Sequence, residues 1–302
     1  MTATYAKTAA STVELTSGRS RDRSWGSILF VFGLWFSLFF GVLVLLVLIA
    51  DTLIEGSPRL DRELLTNYSS TLNPETTGFR AGILGSVWVM IATAAMAVPL
   101  GILAALHLEE FADRTRWYNR FIEVNLQNLA AVPSVVYGLL AVAFVELMGI
   151  RERGLVISGA VALSLLVLPV IIITTREAVR AVPREIRDGS LALGATKWQT
   201  TWRQTLPSAV PGIATGTILG LSRAIGEAAP LLMIGTATAI RFDPNGLMSQ
   251  FTALPLEIYS STSQPQEAFR VAAAAAIIVL LIMILGLNAL AIFIRNKFSR
   301  TW

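Results

Sequence analysis

The stretch 208-SAVPGIATGTILGLSRAIGEAAPLLMIGTATAI-240 is apolar over more than the length of a membrane crossing, yet it holds two opposite charges, Arg223 and Glu227. A helix needs roughly 20 apolar residues to cross about 30 Å of hydrocarbon. A charge at mid-bilayer costs roughly 2.5–3.5 kcal/mol on insertion scales, so a segment that keeps one marks a functional site. Four residues apart on a helix, the two side chains share a face and can pair. The stretch therefore predicts a membrane helix carrying an ion pair beside an ion or solute pathway. Small residues recur at every fourth position: Ser208, Gly212, Gly216, Gly220, Ala224 and Ala228. Such a stripe lets another helix approach closely. Arg223 projects about 60° to one side of Gly220 and Glu227 about 20° from it, so both charges turn toward the packed face and away from lipid. Two readings stay open, an anion-pathway lining and a structural salt bridge between helices. Arg before Glu is the weaker order for such a pair. Pro230 follows, placed to break the helix.

The flanking chain has the same character. Of 302 residues, 54% are hydrophobic and 15% charged, against about 25% charged in an average soluble domain, which implies a membrane protein. Residues 28–50 and 271–294 carry no charge, and 81–106, 126–147 and 155–175 are further apolar segments. With 208–240 they predict six spans. Lipid offers backbone groups no partner, so the spans are expected as helices and the fold as an all-α, polytopic membrane protein. The first apolar core is longer than the roughly 7–15 residues of a signal peptide, so it is expected to be a retained helix.

Lysine and arginine are distributed by topology. Sixteen of the 24 fall in the N-terminal tail, the second and fourth loops and the C-terminal tail, and seven in the alternate loops. The positive-inside rule then places both termini in the cytoplasm. The net charge of +4 needs no nucleic acid to explain it. Cysteine is absent and His107 is the single histidine, so no thiolate site, His-based metal cluster or Ser-His-Asp set is expected, and no cofactor. An integral membrane enzyme is the weakest reading.

Residues 1–24, rich in Thr, Ser and Ala, are expected to be a disordered cytoplasmic tail, with residues 25–302 forming one membrane domain. The largest basic loop, 176–207, has apolar residues at helical spacing. Within it Asp188-Gly189-Ser190 and Leu191-Ala192-Leu193 lead to Gly194, then nine residues lead to Gln204-Thr205-Leu206-Pro207. The pattern suits a docking hairpin: a short helix ends at Gly194, where glycine can take the left-handed cap conformation. A second helix through Trp198 and Trp202 stops at Leu206-Pro207. Gly189 and Gly194 mimic a phosphate-binding loop, but Ala195-Thr196 stands where Lys-Ser/Thr is required, so this chain is not expected to hydrolyse ATP.

That loop resembles the EAA loop of ABC-importer permeases, with the Gly and the Leu-Pro in register and Asp188, Gly189-Ser190 and Gln204 as departures. Ala131-Val132-Pro133-Ser134-Val135-Val136-Tyr137-Gly138-Leu139 resembles a segment of phosphate-uptake permeases. So do Leu168-Pro169-Val170-Ile171-Ile172, Thr174-Thr175-Arg176-Glu177-Ala178 and Arg223-Ala224-Ile225-Gly226-Glu227-Ala228-Ala229-Pro230-Leu231-Leu232. The Ala-Pro-Leu-Leu ending is closer to the A permease of that pair than to its partner permease. The resemblance implies a type I ABC-importer permease of MetI-like fold in a bacterial cell membrane, bathed in membrane lipid. It implies a second permease subunit, two cytoplasmic ATPase subunits, an extracytoplasmic phosphate-binding protein, and phosphate as the transported species. Arg223 and Glu227 would then line the translocation pathway. Asp188, Gly189, Ser190, Gly194, Leu206 and Pro207, within a docking loop at about 184–207, would couple to the ATPase, and Gly212, Gly216 and Gly220 would pack helices. Rival readings are a permease of the same fold for molybdate, sulfate or a polyamine, and a secondary transporter. The docking-loop register and the lack of inverted repeats argue against the last.

Overall fold

Because a backbone in hydrocarbon must satisfy its own hydrogen bonds, helices dominate this chain. The computed structural model describes residues 25–113 and 115–298; the tail expected at 1–24 lies outside the described residues. Two compact units divide at Ala50 and Asp51. In the first, α1 (Trp25–Gly56) begins with apolar residues, Leu29, Phe36 and Leu46 among them, that are exposed.

The second unit continues through a short α2 (Arg62–Thr66), the long α3 (Arg80–Leu106), α4 (Trp117–Ala130), α5 (Ser134–Leu147) and α6 (Val156–Arg180). Then come α7 (Arg184–Ala192), α8 (Lys197–Thr200), α9 (Leu206–Ile225), α10 (Ala229–Met233), α11 (Leu254–Thr262) and α12 (Glu267–Phe298). Helix α6 is the axis of the packing, with α3, α5 and α9 against it, and α12 lies against α9 and α11. Val89, Leu163, Val167, Ile171, Phe251 and Leu256 are buried together at the centre. Small residues allow this density. A Cβ at Gly212 would lie 2.6 Å from the Ala178 side chain, and one at Gly216 would overlap Thr174. The α6–α9 contact is thus tightest at Gly212 and Gly216, while at Gly220 a Cβ would meet Ile171 at an ordinary 3.6 Å.

Two expected spans differ from the sequence reading. Residues 126–147 are not one helix: α4 and α5 meet at a bend of 116° across Ala131-Val132-Pro133. Pro133 has no N–H to continue α4 and forces Val132 out of the helical region, so the helix stops and restarts. Residues 208–240 are not one helix either. Helix α9 ends at Ile225, Gly226 to Ala228 form a break, and Gly235 at φ 77° closes α10. Beyond it the chain leaves the helical path and caps α6: Val156 N–H donates to Ser249 O (3.0 Å) and Ile157 N–H to Leu247 O (2.9 Å). First-turn amides with no partner inside the helix are satisfied in this way. Among the described residues, α1, α3, α6 and α12 are long and apolar enough to cross a membrane, and the bent pair makes up to five spans. Six continuous spans are not present by that measure.

One acidic residue is buried outside the spanning helices. Glu257, on α11, has no exposed surface and its carboxyl oxygens have no hydrogen-bond partner among the described residues. It sits against the first turn of α3 at Gly82. Burial pushes its carboxyl up to about 8, and the nearby Gly82 N–H, which falls short of hydrogen-bond geometry, opposes that only in part.

Candidate functional site

Arg223 occupies the last turn of α9 and Glu227 lies just past its end, so the helix break brings them out of a mid-helix setting and onto a terminus. Arg223 Nε lies 3.4 Å from Glu227 Oε1, with side-chain exposures of 56% and 22%. The bond is long and uses one nitrogen; among the described residues the two terminal nitrogens of Arg223 have no hydrogen-bond partner. A guanidinium in that state keeps its planar fork available to an oxyanion. On the same helix the Ser222 hydroxyl meets Asn288 of α12 and also donates to Ile218 O (2.7 Å). About two turns nearer the start of α9, Arg295 of α12 donates to the Thr215 hydroxyl (3.2 Å). Polar side chains thus recur along the α9–α12 seam.

The bend between α4 and α5 borders this terminus. Buried Tyr137, on the first turn of α5, donates its hydroxyl to Leu129 O at 2.5 Å, a second bond on a carbonyl that also accepts from Val132 N–H (3.0 Å) where α4 breaks. Helix α5 packs in turn on α10, the element immediately after Glu227.

The hairpin of α7 and α8 is built by local rules. Gly194 has φ 84°, a conformation costly for any residue with a Cβ, and it turns the chain after α7. Thr196 and Gln199 then form a reciprocal capping box at the start of α8. Ser190 and Thr200 hydroxyls lie 2.9 Å apart and tie the two arms together. Between the arms is a cavity of about 540 Å³ walled by Glu185, Gly189, Ser190, Leu193 and Gln199, among others. Asp188 points elsewhere, into a charged cleft with Arg180, Arg184 and Arg187. The expected stop at Leu206-Pro207 is absent. A π-helical turn, Thr201–Thr205, carries α8 into α9, and Leu206 and Pro207 open α9. Proline is tolerated at a first helical turn because its missing N–H has no partner there anyway.

The sequence reading missed a charge cluster behind this hairpin. Arg176 of α6 reaches Glu109 Oε2 (3.3 Å) and Glu123 Oε1 of α4 (2.7 Å). Arg180 reaches the other oxygen of Glu109 at 2.8 Å. Arg187 of α7 pairs with Glu110 (3.0 Å). Glu109 and Glu110 belong to a π-helical turn, His107–Phe111, that ends α3. The available signal was Arg176 and Arg180 one turn apart where an apolar segment ends, facing acids in a loop more than 50 residues away.

Residues 97–300 match the family described as the binding-protein-dependent transport system inner membrane component. The chain belongs to this family. It is a multi-pass membrane permease of the ABC-importer type, and the matched range takes in the α7–α8 hairpin, the charge cluster, Arg223 and Glu227. Among curated relatives of this permease, the phosphate transport system permease protein PstA of Mycobacterium leprae is 35% identical over 214 residues, 70% of this chain and 68% of that one. PstA of Yersinia pestis is 30% identical over 263 residues, 86% and 88% of the two chains. The probable ABC transporter permease protein YqgI of Bacillus subtilis is 33% identical over 201 residues, 66% and 67%. Among solved structures, a bacterial ABC transporter for the acidic polysaccharide alginate superposes with TM-score 0.60 over 91% of the permease and 99% of its own chain, at 16% identity. The inward-facing MetNI methionine ABC transporter gives 0.58 over 73% and 95%, at 17% identity. At such identities the likeness shows the MetI-like fold alone.

Proposed function

We propose that this permease forms half of the translocation pathway of an ATP-driven importer of inorganic phosphate in a bacterial cell membrane, with both termini cytoplasmic. A second permease completes the pathway, two copies of a separate ATPase dock on the cytoplasmic side, and an extracytoplasmic phosphate-binding protein delivers the anion. The likeness to PstA proteins supports phosphate as the solute. The observation that carries the reading is Arg223 at the end of α9, held at 3.4 Å by Glu227 through one nitrogen only. A phosphate replaces that weak bond with the guanidinium fork, and Glu227 competes for Arg223 as the anion leaves. Passage requires binding weak enough for exit, which the neighbouring carboxylate provides. Asp188, Gly189, Ser190 and Gly194 lie on the hairpin that meets the ATPase in this scheme, and Leu206 and Pro207 join it to the pathway at the start of α9. The α7–α8 hairpin moves when nucleotide closes the ATPases, and a pathway with two discrete arrangements switches from outward-facing to inward-facing.

The test is phosphate uptake by the assembled transporter carrying Arg223→Gln. Uptake is expected to vanish while the complex and its ATPase still co-purify. Wild-type uptake by that variant would reject the assignment of Arg223. Competition by molybdate or sulfate at equal concentration, with phosphate uptake abolished, would reassign the solute.

A further inference from the structure

The geometry points to Arg176 as a positioning residue that carries movement of α7 to α4, the half-span before the 116° bend. The inference rests on the reading above, in which α7 belongs to the hairpin that meets the ATPase.

Consider first how α7 is attached. Its Arg187 donates to Val179 O at 2.6 Å and Val182 O at 2.8 Å, at the end of α6 where carbonyls have no partner inside the helix. The same guanidinium is bound to Glu110 at 3.0 Å. Helix α7 therefore grips both the end of α6 and the π-helical turn that ends α3. The adjacent residue of that turn, Glu109, accepts from Arg176 and Arg180, one on each oxygen. Arg176 then spans to α4 through Glu123 at 2.7 Å, and Arg180 supports that carboxylate at 3.7 Å. The path from α7 to α4 runs through charged hydrogen bonds at both ends, joined by the peptide link between Glu110 and Glu109 in the π-helical turn.

Burial decides how this set responds to force. The Glu109 and Arg176 side chains are 5% and 10% exposed. Separating such a pair leaves a charge in a poorly solvated site, so the members shift together more readily than they part. The π-helical turn carrying Glu109 and Glu110 is a kind of irregularity that helices concentrate at functional sites. At the other end, α4 is tied to α5 by the Tyr137–Leu129 hydrogen bond, and α5 packs on α10, the element that follows Glu227. A displacement entering at α7 thus arrives beside the pathway residue. A cluster that merely held the fold would not need to join these two ends.

The test uses the complete transporter, both permeases with ATPase and binding protein, in proteoliposomes. Glu123 is 41% exposed, so Glu123→Gln keeps shape and removes one charge without burying an orphan. Phosphate imported per ATP is expected to fall about fivefold or more, the size of an ordinary coupling free energy, while ATP hydrolysis and ATPase co-purification stay at the wild-type level. Arg176→Lys retains the charge but cannot fork onto two carboxylates, and is expected to act in the same direction. Combining the two is expected to add little, since both cut one path. A solute-independent readout follows α4 directly: spin labels at Gln127 on α4 and Tyr259 on α11 report a nucleotide-dependent distance change in the parent complex that disappears in Glu123→Gln. Unchanged stoichiometry and an unchanged distance response in Glu123→Gln would overturn the inference. So would uptake and hydrolysis declining together with loss of the ATPase. A parent complex that imports no phosphate refutes the proposed substrate instead, and the distance measurement still decides the role of the cluster.

Discussion

The Arg223–Glu227 pair and the cluster around Arg176 use the same two functional groups under opposite conditions. In the first, one guanidinium faces one carboxylate at 3.4 Å, and the arginine is 56% exposed. In the second, two arginines share two carboxylates at 2.7 to 3.7 Å, with Glu109 only 5% exposed. A partly solvated single pair is worth little to stability, which leaves its arginine able to exchange partners. A buried, multiply bonded set is costly to disrupt and has no capacity left for a ligand. These two sets of ion pairs therefore differ by burial: the exposed pair is free to exchange partners, and the enclosed set holds its members together.

The division can be broken most forcefully at Arg176. Replacing it by alanine leaves Glu109 buried with a weakened set of partners, and is expected to cost about 3–5 kcal/mol of stability, measured by unfolding of the detergent-solubilised complex. A loss no larger than that of a surface pair would erase the contrast.

Glu257 sharpens it from the other side, as a buried carboxyl with no cation beside it. Its carboxyl is raised from 4.5 to about 8, so the folded chain holds a proton that the unfolded chain releases. Stability from this group is fully present below about pH 4.5, declines as pH rises toward 8, and is then flat. Glu257→Gln removes that slope and is expected to raise stability at pH 7 by about 3 kcal/mol. The measurement is melting temperature against pH for both proteins; parallel curves would show that Glu257 is already ionised in the fold.

A smaller effect belongs to Tyr137→Phe. Loss of the hydroxyl removes one of two hydrogen bonds on the Leu129 carbonyl, which keeps the Val132 N–H, and is expected to cost about 1 kcal/mol, read from the same unfolding curves. The smallest is Arg223→Gln, expected to change stability by less than about 1 kcal/mol although it stops uptake. A large destabilisation there would make Arg223 a structural residue like Arg176.

How much of this was legible beforehand differs between neighbouring segments. Residues 81–106 and 155–175 read as helices and are helices, because length and uniform apolarity dictate backbone pairing within the segment. Residues 126–147 have the same composition but contain Pro133, whose missing N–H turned one expected helix into two. The contact between Arg223 and Glu227 followed from a spacing of four, since a helical repeat fixes it locally. Their position at a helix end did not: a break was expected at Pro230, but α9 already ends at Ile225, ahead of Glu227.

The amino-acid sequence alone determined that this chain lives in a membrane, that its backbone is helical, and that a hairpin turning at Gly194 precedes α9. Those are properties of composition and of short repeats, where each residue answers to neighbours within a turn or two. Only the tertiary structure decided that Arg176 meets Glu109 and Glu123, or that Glu257 is enclosed against Gly82. Such pairs join residues more than 50 positions apart. Their energy comes from exclusion of water by helices packed around them, and no local pattern records which distant helix will do the excluding.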